Sequence, residues 1–302
     1  SKQQQMVQKM YREFAENVLA IPVITGEKSE KEKFAGAVAT YTMEAMMQDG
    51  KALQMGTSHY LGDNFAKAYD ITYLSKDGKL EYCYTTSWGT STRMIGGVIM
   101  VHGDDRGLVL PPKVAPIQVV IIPVAQHKPG VLDKADELFN ELKATGIRVK
   151  VDDTDQSVGW KFNEYEMKGV PLRLEVGPKD IEKNQVVLVR RDTHEKLFVS
   201  IDDLANTISG LLNNIHKTLF ERALAFREAK TTNAVNMEEL AEGVKSGFVR
   251  AMWCGERKCE DEIKKETGAT TRCMIKNHDV EGHVCVHCGK LAKAFTYFAK
   301  SY

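Results

Sequence analysis

Two cysteine pairs stand near the end of the 302-residue sequence. Cys254 and Cys259 enclose four residues, Cys285 and Cys288 enclose two, and 25 residues separate the pairs. Two short knuckles bridged by a loop of that length suit a tetrahedral thiolate site, and Zn²⁺ is the metal it favours. "CGERKC" and "CVHCGK" are both turn-rich, as knuckles require. The rival reading is a redox pair at Cys285 and Cys288, but no thioredoxin-like strand–helix pattern surrounds it. Unligated buried thiols are the plainest alternative. His283 and His287 flank the second knuckle and could replace a thiolate. Cys83 falls in a strand pattern and reads as core; Cys273 reads as unligated. A closed four-ligand site staples a small domain and leaves no open position for catalysis.

Two polar clusters carry the other candidate chemistry. "QMGTSH" places Gln54, Thr57, Ser58 and His59 side by side, and "SWGTSTR" runs from Ser87 to Arg93. On a regular strand Gln54, Gly56 and Ser58 share one face, and Met55, Thr57 and His59 the other. Gly89 would let a ligand approach the backbone, and Arg93 at a strand end can grip a phosphate with two parallel hydrogen bonds. Read alone, the same residues also suit a hydrogen-bonded strand pair with a surface arginine.

These clusters need elements to hold them. Met6, Met10, Phe14 and Val18 recur at helical spacing and predict an amphipathic helix over about 5–20. "VITGEKSEKEKFAGA" reads as a charged loop, residues 41–49 as a helix, and "KALQMGTSH" as a strand. A short helix and strand follow, then one strand in "LEYCYTTSWG" and a buried helix in "STRMIGGVIMVHG". "GDDRGLVLPPKVAP" is a linker, because its prolines stop helix and central strand alike. Beyond it, "IQVVIIPV" is a continuous apolar run, as in a strand buried on both faces. The βαβαβ alternation after it predicts a mixed or largely parallel sheet, closed by a hairpin across Asp192–Glu195 and a long helix from about Ile201. Asn236 with Glu239 three residues on predicts the start of another helix. The division is thus 1–113 (α+β, antiparallel strands), 114–230 (α/β) and 231–302 (a small α/β unit holding the cysteines).

Lys+Arg and Asp+Glu both number 41, so the chain has no global attraction to nucleic acid or acidic membranes. Binding to RNA would rest on local groups. No apolar run approaches the ~18–20 residues of a membrane span, so no membrane partner and a cytoplasmic location are expected. The sequence opens at Ser1 directly into the first helix and reads as cut from something longer.

"QMGTSHYLGDNFAKAYDI", "SWGTSTRMIGG", "MVHGDDRGLVLPPKVAPIQVVIIPV", "GWKFNEYEMKGVPLRLEVGPKD" and the final "SY" occur in the same order as in prolyl-tRNA synthetases of the archaeal/eukaryotic-like subgroup, a class II family. The resemblance extends over essentially the whole chain. It implies that 1–113 is the C-terminal part of a class II antiparallel-sheet catalytic domain, 114–230 an anticodon-binding domain and 231–302 a zinc-binding domain. It implies a ligase that activates L-proline with ATP and Mg²⁺ and transfers it to proline tRNA, working as a homodimer. On this resemblance Gln54 contacts ATP and helps hold Mg²⁺, and Thr57 contacts the nucleotide. His59 lines the proline pocket, and Trp88 and Gly89 shape its wall. Ser91 and Arg93 contact ATP, with Arg93 along the phosphates; Ser91 stands where relatives often carry Thr. Phe162 stacks on an anticodon base, while Glu166, Lys179 and Asp180 hydrogen-bond base edges, for which two guanines suit the mixture of donors and acceptors. Without the resemblance, Phe162 reads equally as core and the charged residues as a solvated face. The terminal Tyr302 folds back towards the active site.

The sequence departs from the family pattern at its start. The first and second class II motifs and the loop that clamps the proline amine are missing, so one side of an active site is expected, and the chain by itself is expected to be inactive. The competing expectation is a tRNA-binding or interaction fragment without synthetase activity.

Overall fold

The computed structural model describes residues 2–275 and 278–302. The chain divides into two units: Ser1–Asn17, Ile21–Gly97 and Leu224–Tyr302 form the first, and Val18–Ala20 with Val98–Ala223 the second.

The first unit holds α1 (Lys2–Asn17), β1 (Ile24–Glu27), β2 (Ala39–Met46), β3 (Ala52–Gly62), α2 (Asn64–Ala68), β4 (Thr72–Leu74), β5 (Leu80–Tyr82) and β6 (Thr85–Gly89). α1 turns Val7 and Ala15 inward, while the predicted row of Met6, Met10 and Phe14 lies exposed. Residues 39–46 are a strand where the sequence suggested a helix. Their Met, Glu and Ala favour helix locally, but β2 lies between β1 and β3, and ladder hydrogen bonds on both edges override that preference. The charged stretch after Pro22 is likewise not all loop: β1 pairs with β2 and β14, and Lys28 is buried. "LEYCYTTSWG" breaks at Cys83 and Tyr84. β5 pairs with β4 in a separate hairpin and β6 with β3, so Cys83 is a half-buried connector and not a core strand residue.

The second unit begins within α3 (Arg93–His102) and continues through β7 (Val119–Pro123), α4 (Val131–Ala144), β8 (Val149–Val151), α5 (Val158–Met167), β9 (Leu172–Val176), α6 (Pro178–Glu182), β10 (Gln185–Arg190), β11 (Lys196–Ser200) and most of α7 (Leu204–Ala229). Its sheet order is β11-β10-β9-β7-β8, with β7 parallel to both neighbours and the β9–β10–β11 side antiparallel. Val119 and Ile121 pack with Leu138, Leu142 and Ile208; Val120 and Ile122 pack with Tyr165 and Val170. Alternate residues of β7 thus bury opposite faces, which is why its sequence shows no polar alternation.

The remaining elements are β12 (Thr231–Ala234), α8 (Met237–Gly243), β13 (Phe248–Trp253), α9 (Arg257–Thr267), β14 (Thr270–Ile275) and β15 (Ala294–Ala299). The Asn236 side chain accepts from the Glu239 amide and Glu239 accepts from the Val235 amide, which caps α8 as predicted. These strands do not stand apart from residues 1–97, as the three-way division has them. They continue one eight-stranded sheet, ordered β12-β13-β15-β14-β1-β2-β3-β6, because β14 pairs antiparallel with β1. A buried ionic cluster lies across the same strands. Glu44 accepts from Lys28 Nζ at 2.8 Å, from Thr42 Oγ1 at 2.9 Å and from Arg272 Nη2 at 3.0 Å. The overall class is a mixed α/β fold with several sheets, in line with the α+β and α/β reading.

Candidate functional site

β3 carries the first polar cluster. Its pairing with β2 slips at Gln54–Gly56, opposite Met43 and Glu44, so Met55 is an extra residue. A bulge re-aims the side chains around it. Beyond it Thr57 faces Gly89, and His59 faces Ser87, on β6. An open cleft of about 230 Å³ is lined by Gln54, Gly56, Thr57, Gly89, Ser91 and Arg93. Arg93 opens α3, and its Nη1 donates to the Gln54 carbonyl at 3.3 Å while its amide donates to Ser91 Oγ at 3.3 Å. The guanidinium is thereby tethered at the rim with other N–H groups left over. A side-chain carbon at position 89 would meet nothing within 4 Å, so the space before Gly89 is open. Donors and one cation around a concave surface suit a phosphorylated ligand.

His59 sits beside this cleft. Nδ1 is 2.9 Å from Thr40 Oγ1 and Nε2 is 3.1 Å from Thr57 Oγ1. The Phe34 ring lies 4.8 Å away, centroid to centroid. Burial holds the imidazole below its ordinary pKa, so the neutral ring is favoured. Trp88 pairs with Ser58 and stands on the opposite face from Gly89; it is half exposed and does not line the cleft.

The four paired cysteines converge. Their sulfurs all lie within 4.8 Å of one another, and Cys288 Sγ is 3.8 Å from Cys254 Sγ. Four sulfurs placed tetrahedrally at ~2.3 Å from one ion are ~3.8 Å apart, so the spacing fits a shared metal rather than a disulfide. Cys254 directly follows β13, Cys259 lies in the first turn of α9, and Cys285 and Cys288 precede β15. Gly255 and Gly289, with φ of +79° and +71°, make the left-handed turns that bend both knuckles. Cys254, Cys259 and Cys285 are buried. Burial pushes the Cys254 and Cys259 thiols up, whereas the Lys290 amide, donating to Cys288, lowers that one. A cation would hold all four as thiolates. His283 is exposed, and His287 faces Glu262 and Glu266 at 3.5 and 3.8 Å, so neither enters the cluster. Cys273 is buried separately beside Ile24, Met46 and Phe248.

In the second unit Phe162 and Glu166 share one side of α5, four residues apart. Phe162 is half-buried against Val120, Ile122 and Tyr165. Lys179 and Asp180 lie on α6, just after β9. Asp180 Oδ2 accepts from the Gly177 amide at 3.0 Å and so caps its own helix, while Lys179 is exposed.

Residues 118–211 match the family model described as "Anticodon binding domain", and residues 237–302 the one described as "Prolyl-tRNA synthetase, C-terminal". A proline–tRNA ligase of Lachnospira eligens is 60% identical over 301 residues, covering 99% of this chain and 63% of that relative. One of Ruminiclostridium cellulolyticum is 59% identical over 295 residues, covering 97% of the chain and 62% of the relative. One of Clostridium novyi is 58% identical with the same coverage. The chain belongs to the prolyl-tRNA synthetase family. It spans a little under two thirds of the length of these relatives.

Within this chain the structure brings Gln54, Thr57, Gly89, Ser91 and Arg93 to one cleft, with His59 adjoining and Trp88 turned away. Tyr302 docks at the turn between β2 and β3. Its hydroxyl donates to Asp49 Oδ2 at 2.6 Å, its amide donates to the Ala52 carbonyl at 3.3 Å, and Asp49 pushes the hydroxyl pKa up to about 12. Sequence reading missed two groups. Thr40, on β2, meets His59 only because β2 is a strand. Arg173 stacks its guanidinium 3.8 Å from the Phe162 ring centre, held by Glu175 at 3.0 Å. Both stand one strand or helix away from the motifs they support, and spacing along the chain carries no sign of them.

Proposed function

We propose that this chain supplies the nucleotide-facing wall and the tRNA-reading unit of an enzyme that activates L-proline with ATP and transfers it to proline tRNA. The observation that carries this is the cleft in which Gln54, Thr57, Ser91 and Arg93 converge. Arg93 would lie against the phosphates, stabilising charge as the proline carboxylate attacks the α-phosphorus and pyrophosphate leaves. Ser91 and Thr57 would orient the nucleotide, and His59 would border the proline side, with Gly89 as its open wall. Gln54 offers a carboxamide oxygen that suits Mg²⁺, an ion that keeps most of its shell as water and phosphate oxygen. Mg²⁺ would draw charge from the leaving phosphates.

Zn²⁺ fits the four cysteine sulfurs by donor type and spacing and would be structural, since four thiolates complete a tetrahedral shell. Phe162, with Arg173 on its face, would offer a platform for a base, and Glu166 and Lys179 polar groups for base edges. Asp180 would contribute through the oxygen not used in capping. No helix among the described residues is long and apolar enough to cross a membrane; a cytoplasmic homodimer accords with this reading.

Proline-dependent exchange of pyrophosphate into ATP tests the proposal in the full-length protein. Exchange that depends on proline and Mg²⁺ is expected. Absence of exchange, with tRNA binding intact, would favour a tRNA-binding protein without synthetase activity.

A further inference from the structure

The Thr40–His59–Thr57 chain has a direction, and the direction decides what the cleft presents to its ligand. Thr40 is buried, 2% exposed, and its hydroxyl oxygen accepts from the Phe34 amide at 3.1 Å. Its other neighbour at hydrogen-bonding distance among the described residues is His59 Nδ1, at 2.9 Å. If Nδ1 carried the proton, Thr40 would accept twice and its own O–H would be buried without an acceptor, which is costly. If Thr40 donates to Nδ1, every hydrogen is used. A neutral ring then carries its proton on Nε2 and donates to Thr57 Oγ1 at 3.1 Å. Thr57 is half-buried and lines the cleft, so its remaining O–H can turn outward where Thr40's cannot.

We propose that Thr40 is a positioning residue that fixes the His59 proton on Nε2 and so makes the Thr57 hydroxyl a hydrogen-bond donor to an oxygen of the bound nucleotide. The ligand half of this statement rests on the reading of the cleft as an ATP site. The proton half rests on Thr40, Phe34, His59 and Thr57 alone. Thr40 touches no substrate; it acts through the ring. The Phe34 side chain closes over His59 at 4.8 Å and restricts solvent from the ring, which keeps the ring neutral and the chain of donors intact.

Long-range ¹H–¹⁵N spectra of the 302-residue chain read the proton directly, with the His59 signals assigned by loss in His59→Gln. Wild type and Thr40→Ser should show Nε2 protonated and Nδ1 bare. Thr40→Val should populate the Nδ1-protonated ring, because Thr57 is then free to donate to Nε2. Thr57→Val should keep the Nε2 proton, since Thr40 still sets it. A wild-type ring protonated on Nδ1, or a tautomer that follows Thr57 and ignores Thr40, overturns the proposal. In the full-length enzyme Thr40→Val should raise KM for ATP about fivefold, the size of one neutral hydrogen bond, with kcat much less changed and Thr40→Ser restoring it. If Thr57→Val raises KM and Thr40→Val does not, the positioning role fails alone. If Thr57→Val leaves KM for ATP unchanged, the nucleotide reading of the cleft fails, whatever the ring spectra show.

Discussion

Arg93 is the one fixed cation among the residues lining the cleft, and its tether to the Gln54 carbonyl orders it before any ligand arrives. Pre-ordered charge is worth most where charge develops during reaction. Arg93→Ala in the full-length enzyme should therefore slow proline-dependent exchange by ~100- to 1000-fold, about 2.7–4 kcal/mol, while tRNA affinity stays near wild type. A rate within about threefold of wild type would make Arg93 an ordinary surface residue. The cysteines make a second prediction at this scale. One equivalent of zinc per chain is expected from metal analysis, and Cys254→Ser or Cys288→Ser should lower it, since a hydroxyl is a poor replacement for a thiolate. Unchanged zinc in both variants would remove the assignment. The four cysteines were legible in the sequence because their pairing is local in the chain. Arg173 was not, because a guanidinium over a ring is an encounter between β9 and α5 that neither segment announces. The opposite facing of Trp88 and Gly89 was not legible either, because it depends on the pairing of β6 with β3.

Among the elements, β2 and β14 show how far local preference can mislead. Residues 39–46 have helix-favouring Met, Glu and Ala, yet the strand pairs on both edges, with β1 and β3. Its Glu44 is fully buried and closes the ionic cluster with Lys28 and Arg272. Only the three-dimensional neighbours reveal this charged residue as a paired core group. The cluster has two cations for one carboxylate, so the three members are not equivalent. Glu44→Gln leaves Lys28 and Arg272 buried without their counter-charge and should cost about 3–5 kcal/mol of unfolding free energy. Arg272→Met leaves Glu44 paired with Lys28 and replaces the guanidinium with packed apolar volume, so its cost should be clearly smaller. Urea unfolding of both variants decides this; equal losses would mean that the residues contribute through packing and not as an ion network. The helices of the second unit were easier to read, since β7, α4, β8, α5 and β9 alternate in sequence as they alternate in the layers. The C-terminal strands were harder. Their sheet partner β1 lies more than 200 residues earlier, and a small cysteine-bearing unit looked self-sufficient.

For the whole molecule the decisive number is the net charge of zero. A protein that neutralises many phosphates gains affinity for any nucleic acid and loses it steeply with salt. This chain has no such surplus, so its preference for one tRNA would rest on contacts to bases standing out against a low background. The second unit offers the groups: the Phe162 ring with Arg173 stacked on it, Glu166 as acceptor, and Lys179 as exposed donor. Glu166 is also 3.4 Å from Arg106, a pair on the exposed surface that a base edge could replace at little cost. Binding of the 302-residue chain to proline tRNA, compared with a variant whose two anticodon guanines are replaced, should show a loss of ~1–3 kcal/mol per changed base. Arg173→Ala should weaken the cognate tRNA and narrow the difference between the two, because loss of the guanidinium removes part of the platform offered to a base. Raising salt should weaken both RNAs by a similar factor and leave their ratio nearly unchanged, since the screened term is shared and the base term is not. Equal affinity for the two RNAs at every salt concentration would remove base recognition from this unit.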